Sequence, residues 1–279
     1  MAKVDLHIHS NYSDGSDSVQ ELINKLLRNN IEIFALTDHD TTEGCMEIQK
    51  FIPQKIKFIS GVELTSESEG LECHILGYGC DPYNTDLLSL IKKGKKLRQQ
   101  KLETRIEYLK KVWNIDLTEN ELNWLYSRKS VVKTHVAHIL VQRGLAKNNV
   151  SAMNKYLDGC KTGQTRFSIE ESINAIKSSG GIPVYAHSIG GEGEKHITKK
   201  ELLPKLKKMI KYGIEGLECY YSRYSLEEIE FLQELANKNN LFITGGSDYH
   251  GTNKDIPIAK LNTENKYIDS EKLNILKVL

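Results

Sequence analysis

The sequence has no excess of charge of either sign: 38 Lys and Arg stand against 37 Asp and Glu, a formal net charge of +1. No global field draws such a chain to nucleic acid or to an acidic membrane surface, so phosphate recognition must come from local basic groups or from metals. No apolar run approaches the ~20 residues that a membrane helix needs. The N-terminus passes straight into a strand-like Val4–Ser10 with no basic segment ahead of an apolar stretch, so no signal peptide is expected and a cytoplasmic location follows. The five cysteines (Cys45, Cys73, Cys80, Cys160 and Cys219) are scattered, odd in number and form no C-x-x-C pair, so neither a disulfide framework nor a zinc finger is suggested. They read as buried or idle thiols of a reducing compartment. No G-x-G-x-x-G follows the first strand, so the usual support for a dinucleotide fold is missing.

What the chain does have is alternation. Short β-branched or aromatic runs at Lys3–His9, Ile31–Thr37, Lys57–Leu64, Glu72–Gly79, Ile182–His187, Gly216–Tyr221 and Leu241–Gly245 read as strands. Between them lie helical patterns near Ser18–Asn29, Thr42–Phe51, Ile169–Ser179, Lys199–Tyr212 and Ser225–Asn239. Ser168 with Glu171, and Ser225 with Glu228, have the spacing of capping boxes. Such alternation implies a parallel sheet covered by helices, here an α/β fold expected to close as a distorted (β/α)7 barrel. It breaks between about Thr85 and Gly163, where Asp86–Val112 reads as one long basic helix followed by helical patterns at Thr118–Ser127, Val131–Arg143 and Val150–Leu157. The expected organisation is a barrel of residues 1–84 and 164–279 with a helical insertion, 85–163. An insertion of that kind can serve as a lid or substrate domain.

The chemistry-bearing residues fall on the expected strands. His7 and His9 stand two apart and share a face; Asp14 follows in the next loop. Asp38 and His39 end the second strand and Glu63 the third. His74 lies in the fourth, His187 ends the fifth, and Asp248 and His250 follow the last. Six of the nine histidines thus lie in or at the end of a strand. In a parallel barrel such ends converge on one face, where active sites are built. Burying that much imidazole and carboxylate without cations would leave charges unpaired at high cost. Imidazole and carboxylate without thiolate suit manganese, iron or zinc. Cys73 would face away from an inward His74. The number of potential ligands calls for two or three divalent ions, with Glu63 as the bridging carboxylate, and multinuclear sites of this type hydrolyse phosphate esters with a metal-bound hydroxide.

Asp5-Leu6-His7-Ile8-His9-Ser10, Ser13-Asp14-Gly15, Thr37-Asp38-His39-Asp40, Gly61-Val62-Glu63, His74, Ala186-His187 and Ser247-Asp248-Tyr249-His250, in this order, resemble the polymerase-and-histidinol-phosphatase (PHP) family. The resemblance spans essentially the whole chain and implies a distorted seven-stranded barrel with a trinuclear site. It would give His7, His9, Glu63 and Asp248 one ion, Glu63, His74 and His187 a second, and Asp14, His39 and His250 a third. Manganese is the first expectation for the metal, iron and zinc the alternatives. Asp38 and Asp40 have no direct place there; Asp40 is expected to support His39 or to cap the next helix. The insertion resembles that of bacterial phosphoesterases that remove the 3′-phosphate of nucleoside 3′,5′-bisphosphates, with relatives that trim short RNA from its 5′ end. The matching segment runs from Lys133-Thr134-His135 to Arg143-Gly144, with Lys133 in place of the usual Arg, a change that keeps the charge but loses the bidentate fork. The usual proline after His187 is replaced by Ser188, followed by a loop with Gly190, Gly191 and Gly193.

Lys133, His135 and Arg105 are the candidate contacts for a second phosphate. Arg98 shares a helix face with Arg105, and the other lysines of the basic helix read as a solvated surface. Tyr220, Tyr221 and Ser222 end a strand on the active-site side, where an aromatic pair more often packs than stacks on a substrate or contacts a phosphate. His138 and His196 read as structural or surface residues. The expected partner is a small nucleotide or short RNA, with no membrane association and no stable nucleic-acid complex. Histidinol phosphate as substrate is disfavoured by the insertion, and a carbamate-lysine amidohydrolase by the lack of a lysine at a central strand end. A non-catalytic metal-binding module would require lost ligands, and the chain retains them.

Overall fold

The computed structural model describes residues 2–128, 131–163, 166–192, 195–261 and 266–279. Gly193 of the expected glycine-rich loop and residue 164, the expected barrel boundary, lie outside them. Two compact units emerge, one of residues 1–91 with 167–279 and one of residues 92–166.

The first unit is built on a mixed sheet of eight strands: β1 (Lys3–Asp5), β2 (Ile33–Leu36), β3 (Lys57–Ser68), β4 (Leu71–Tyr78), β5 (Ile182–Tyr185), β6 (Gly216–Tyr221), β7 (Phe242–Gly246) and β8 (Ile268–Asp269). They are ordered β7-β6-β5-β4-β3-β2-β1-β8. The rising strands β1–β3 and β5–β7 pair in parallel, as the alternation implies. The fourth strand departs from that expectation. β4 runs antiparallel to both β3 and β5, because the chain turns back at once through Glu69 and Gly70, which hold φ of 51° and 72° between the paired Ser68 and Leu71. Two left-handed residues in succession make a tight hairpin whose twist matches its strands, leaving no crossover helix to restore a parallel direction. The eighth strand, not expected from sequence, is two residues long and lies antiparallel to β1.

The barrel closes beyond the regular part of β1. Leu6 N–H donates to the Gly245 carbonyl (3.2 Å), Tyr249 N–H to that of His7 (3.2 Å) and His9 N–H to that of Tyr249 (2.9 Å). A side chain at position 246 would place its Cβ 2.3 Å from the His7 nitrogen, so glycine there permits the closure. Fully buried Leu6, Val62, Leu64, Leu76, Val184 and Leu217 belong to the main core. A second core, including Ile8, Leu22, Leu26, Phe34 and Ile48, lies under α1 (Val19–Arg28) and α2 (Glu43–Ile48).

The second unit carries most of α3 (Thr85–Trp113), then α4 (Glu119–Tyr126), α5 (Lys133–Gln142) and α6 (Asn149–Ala152). It has its own core around Leu102, Leu109, Leu125, Val136, Leu140 and Leu157. In the first unit, α7 (Ile169–Ser178), α8 (Lys199–Tyr212) and α9 (Leu226–Lys238) follow. Both expected capping boxes form, as do Ser18–Glu21, Thr118–Glu121, Asn148–Ser151 and Thr198–Glu201. No described helix is long and apolar enough to cross a membrane.

Candidate metal centre

All nine candidate ligands are drawn into one cluster at the barrel end. Nε2 of His7 and of His9 each lie 3.1 Å from Glu63 Oε2, and 3.5 and 3.4 Å from Asp248 Oδ1. The other oxygen of Glu63, Oε1, lies 3.0 Å from both His74 Nδ1 and His187 Nε2, which are 3.3 Å apart. Asp14 Oδ1 lies 3.1 Å from His250 Nε2 and 3.4 Å from His9 Nδ1, and its Oδ2 lies 3.7 Å from His39 Nε2. His39 is shared, for its Nδ1 lies 3.4 Å from Glu63 Oε2. Three groups could therefore each hold a cation: His7, His9, Glu63 and Asp248; His9, Asp14, His39 and His250; and His39, Glu63 and His74. His187 joins the last through the same oxygen of Glu63.

The local folding explains the convergence. His7 and His9 point the same way from the extension of β1 that closes the barrel. His74 arrives differently from the other ligands. On antiparallel β4 it pairs with Thr65, two residues past Glu63, so it reaches the site from the first half of its strand rather than its C-terminal end. Cys73, on the opposite face, is buried against Met209, as its alternation with His74 requires. Asp248 and Asp40 both adopt left-handed backbone, with φ of 57° and 50°, at the loops that carry the site.

The donor set fits divalent cations. Both ring nitrogens of His9, Nδ1 of His39 and Nε2 of His250 are buried and have no hydrogen-bond partner. Buried polar atoms are rarely left so, and here each faces a carboxylate across a gap that a cation would fill. Titration follows the same logic. Burial opposes ionisation of Glu63 and Asp248, yet the surrounding imidazoles hold both carboxyls well below their ordinary range. Burial likewise opposes a charged His7, but Glu218, Glu63 and Asp248 raise it well above its usual value. His39 is driven the other way, down to about 3, chiefly by burial. The cluster is arranged around positive charge.

A supporting layer escaped the sequence reading. Glu218 on β6 is fully buried; its Oε1 lies 2.8 Å from His7 Nδ1, and its Oε2 accepts the His187 N–H at 2.8 Å. A proton on His7 Nδ1 directed at Glu218 leaves the Nε2 lone pair facing the cluster, the usual second-partner arrangement for a metal-binding histidine. The available signal was a lone acid within the apolar run Gly216–Tyr221. Asp5 accepts from Ser247 N–H (2.9 Å), Ser247 Oγ (2.6 Å) and Ala259 N–H (2.7 Å), tying β1 to the loop that bears Asp248. Asp38 accepts from Ser10 N–H (2.8 Å), Ser10 Oγ (2.6 Å) and Ser13 Oγ (2.6 Å), which fixes the loop leading to Asp14. Asp40 accepts the Thr65 N–H at 2.9 Å, while Thr42 occupies the cap position of α2, so Asp40 does not take the expected capping role.

The three candidate substrate contacts belong to the helical unit. Lys133 is the first residue of α5 and pairs with Asp158. His135 Nδ1 accepts the Val132 N–H at 3.1 Å, closing the start of that helix, and its ring stands edge-on to Trp124. Arg105 and Lys133 both act electrostatically on the Cys160 thiol, whose titration burial shifts upward. Arg98 lines a separate cavity of about 170 Å³ with Lys95, Arg128 and Leu125. His138 packs on Trp124, and His196 pairs with Glu228 at an exposed position.

The PHP domain profile matches residues 5–243. The chain belongs to the PHP domain family. It is 27% identical over 254 residues to the 3′,5′-nucleoside bisphosphate phosphatase of Chromobacterium violaceum, covering 90% of this chain and 88% of that one. It is 28% identical over 252 residues to the 5′-3′ exoribonuclease Rnm of Escherichia coli, covering 88% of this chain and 84% of that one. A crystal structure from Bifidobacterium adolescentis, assigned as a metal-dependent phosphoesterase, superposes with a TM-score of 0.77 at 25% identity over 100% of this chain and 96% of that one. This PHP protein is a metal-dependent phosphoester hydrolase, with a His, Asp and Glu cluster able to bind metals.

Proposed function

We propose that this PHP hydrolase removes the 3′-phosphate of nucleoside 3′,5′-bisphosphates, with short 5′-phosphorylated RNA as a second substrate of the same centre. The observation that carries the reading is Glu63, whose two oxygens face two different groups of imidazoles, the arrangement a bridging carboxylate requires. His7, His9, Glu63 and Asp248 would hold one ion, Glu63, His74 and His187 a second, and Asp14, His39 and His250 a third, manganese being the first choice. When bound, such ions supply charge to the phosphoryl oxygens and make water a nucleophile near neutral pH. The chain's part is to hold the lone pairs in place. Glu218 fixes His7, Asp38 fixes the Asp14 loop, and the buried floor keeps the dielectric low so that electrostatic attraction is strong. The substrate class is supported by the names of the relatives and by the cationic Lys133 and Arg105, which with His135 we assign to the second phosphate.

A substrate panel tests the reading: a nucleoside 3′,5′-bisphosphate, a 5′-phosphorylated RNA of a few residues and histidinol phosphate, each with Mn²⁺. Turnover is expected for the first two. Turnover of histidinol phosphate alone would replace the substrate assignment. A narrower test separates the second phosphate. Lys133→Ala should raise KM for the bisphosphate by ~10-fold, the scale of one charge-assisted contact, and leave a nucleoside 3′-monophosphate unaffected. Equal effects on both would remove Lys133 from that role.

A further inference from the structure

Asp248 is held by two donors that none of the candidate ligand groups includes. Its Oδ1 faces the cluster, 3.4 Å from His9 Nε2 and 3.3 Å from His250 Nδ1. Its Oδ2 faces away and receives Lys254 Nζ at 2.6 Å and Tyr221 OH at 2.9 Å. Neither contact is incidental. Tyr221 is buried, and its hydroxyl oxygen also accepts the Glu192 N–H at 3.0 Å, which leaves its one proton for Asp248. Lys254 follows a short turn stitched to the Asp14 loop: Thr252 N–H donates to Ser16 Oγ at 2.8 Å and Asn253 Nδ2 to the Asp14 carbonyl at 2.8 Å. Its side chain is 22% exposed and runs inward to the carboxylate.

We infer that Lys254, assisted by Tyr221, is a positioning residue that fixes the rotation of the Asp248 carboxylate, so that Oδ1 alone is offered to a cation. The inference rests on the metal-centre reading above. An ammonium can only donate, so whatever occupies position 248 must turn an acceptor toward Lys254. A free carboxylate could swing to bind through both oxygens or turn edge-on; this one cannot without breaking the part-buried Lys254 and the buried Tyr221 hydrogen bonds. The ammonium also repels a cation at Oδ1, an effect of opposite sign. The sign of the change on removing it therefore decides whether orientation or charge dominates.

The experiment measures Mn²⁺ affinity by chelator competition, with thermal unfolding as a control for folding. Lys254→Met should weaken binding of one ion by ~10- to 100-fold, the range for outer partners of metal ligands, and Lys254→Arg should retain near-native affinity. Asp248→Asn supplies the orientation-specific arm. With Lys254 present, the amide oxygen must face the ammonium, which turns the NH₂ toward the cluster and removes a ligand. In Asp248→Asn/Lys254→Met only Tyr221 still meets the outward atom, and its hydroxyl can accept from an NH₂ as well as donate, so the amide can turn its oxygen to the cluster and affinity should recover above that of Asp248→Asn alone. Unchanged or tighter binding in Lys254→Met, or no recovery in the double variant, would overturn the positioning role. If the native protein itself binds no Mn²⁺, it is the metal-centre reading that fails, a result distinct from any of these.

Discussion

At the scale of single residues, the site depends on which atom of each side chain is left free. Glu63 engages imidazoles through both oxygens, so Glu63→Gln replaces one acceptor by an NH₂ group that can ligate nothing. Activity should fall by more than about 100-fold, beyond the loss typical of an outer partner, and bound metal measured by elemental analysis should fall with it. Retained metal in that variant would contradict the bridging role. Glu218→Gln is subtler. Its amide oxygen can serve His7 Nδ1–H or the His187 N–H, but not both, so one buried donor loses its acceptor. Metal affinity should drop by ~10- to 100-fold while the fold persists; an unchanged chelator-competition curve would show that Glu218 has no orienting role. The ligand-type residues were legible because His and acids are conspicuous on strands. Glu218 and Asp5 were not, because a buried carboxylate that serves backbone amides has no signature until the fold closes around it.

At the scale of elements, caps and turns decide direction. The helix starts were readable where Ser or Thr precedes Glu by three. The antiparallel course of β4 has only the two-residue turn Glu69-Gly70 as its signal, and the alternation elsewhere is parallel. Its consequence is functional, because it brings His74 in from the first half of its strand. Within the helical unit, Thr118 caps α4 and Glu121 reaches back to it while also receiving Arg143. Thr118→Ala should cost about 1 kcal/mol, the usual value for a lost cap. The Arg143 bond, together with Thr118, lowers the Glu121 carboxyl from 4.5 to about 2. A folded value below the unfolded one means the pair stabilises the fold above pH ~4.5 and loses that contribution as pH falls toward 2. Arg143→Met should therefore destabilise α4 at pH 6 in hydrogen exchange, and the gap from native protein should shrink toward pH 2. A gap that stays constant with pH would assign the effect to packing instead.

At the scale of the molecule, a barrel that is split in sequence by a helical stretch still assembles one site from residues as distant as His7 and His250. The break in strand alternation was visible in the sequence, and the helical unit's own core accounts for it: those helices bury Leu102, Leu125 and Leu140 among themselves. The eighth strand was not visible, since two residues carry no periodicity. Ions bound only to the folded cluster must stabilise the barrel unit that carries it. At 100 times Kd the gain is ~2.7 kcal/mol, so chelation should lower the melting temperature by about 5–10 °C in a protein of this size. An unshifted melting curve would mean that the ions do not bind the native state.

The central claim, that the cluster hydrolyses phosphate esters through bound divalent ions, is tested most directly by titrating Mn²⁺ into chelator-stripped protein and following phosphate release from a nucleoside 3′,5′-bisphosphate. Turnover should be absent at the start, rise with added metal and saturate at two to three ions per chain, with Asp248→Ala inactive throughout. Undiminished turnover by the stripped protein, or full activity in Asp248→Ala, would contradict it.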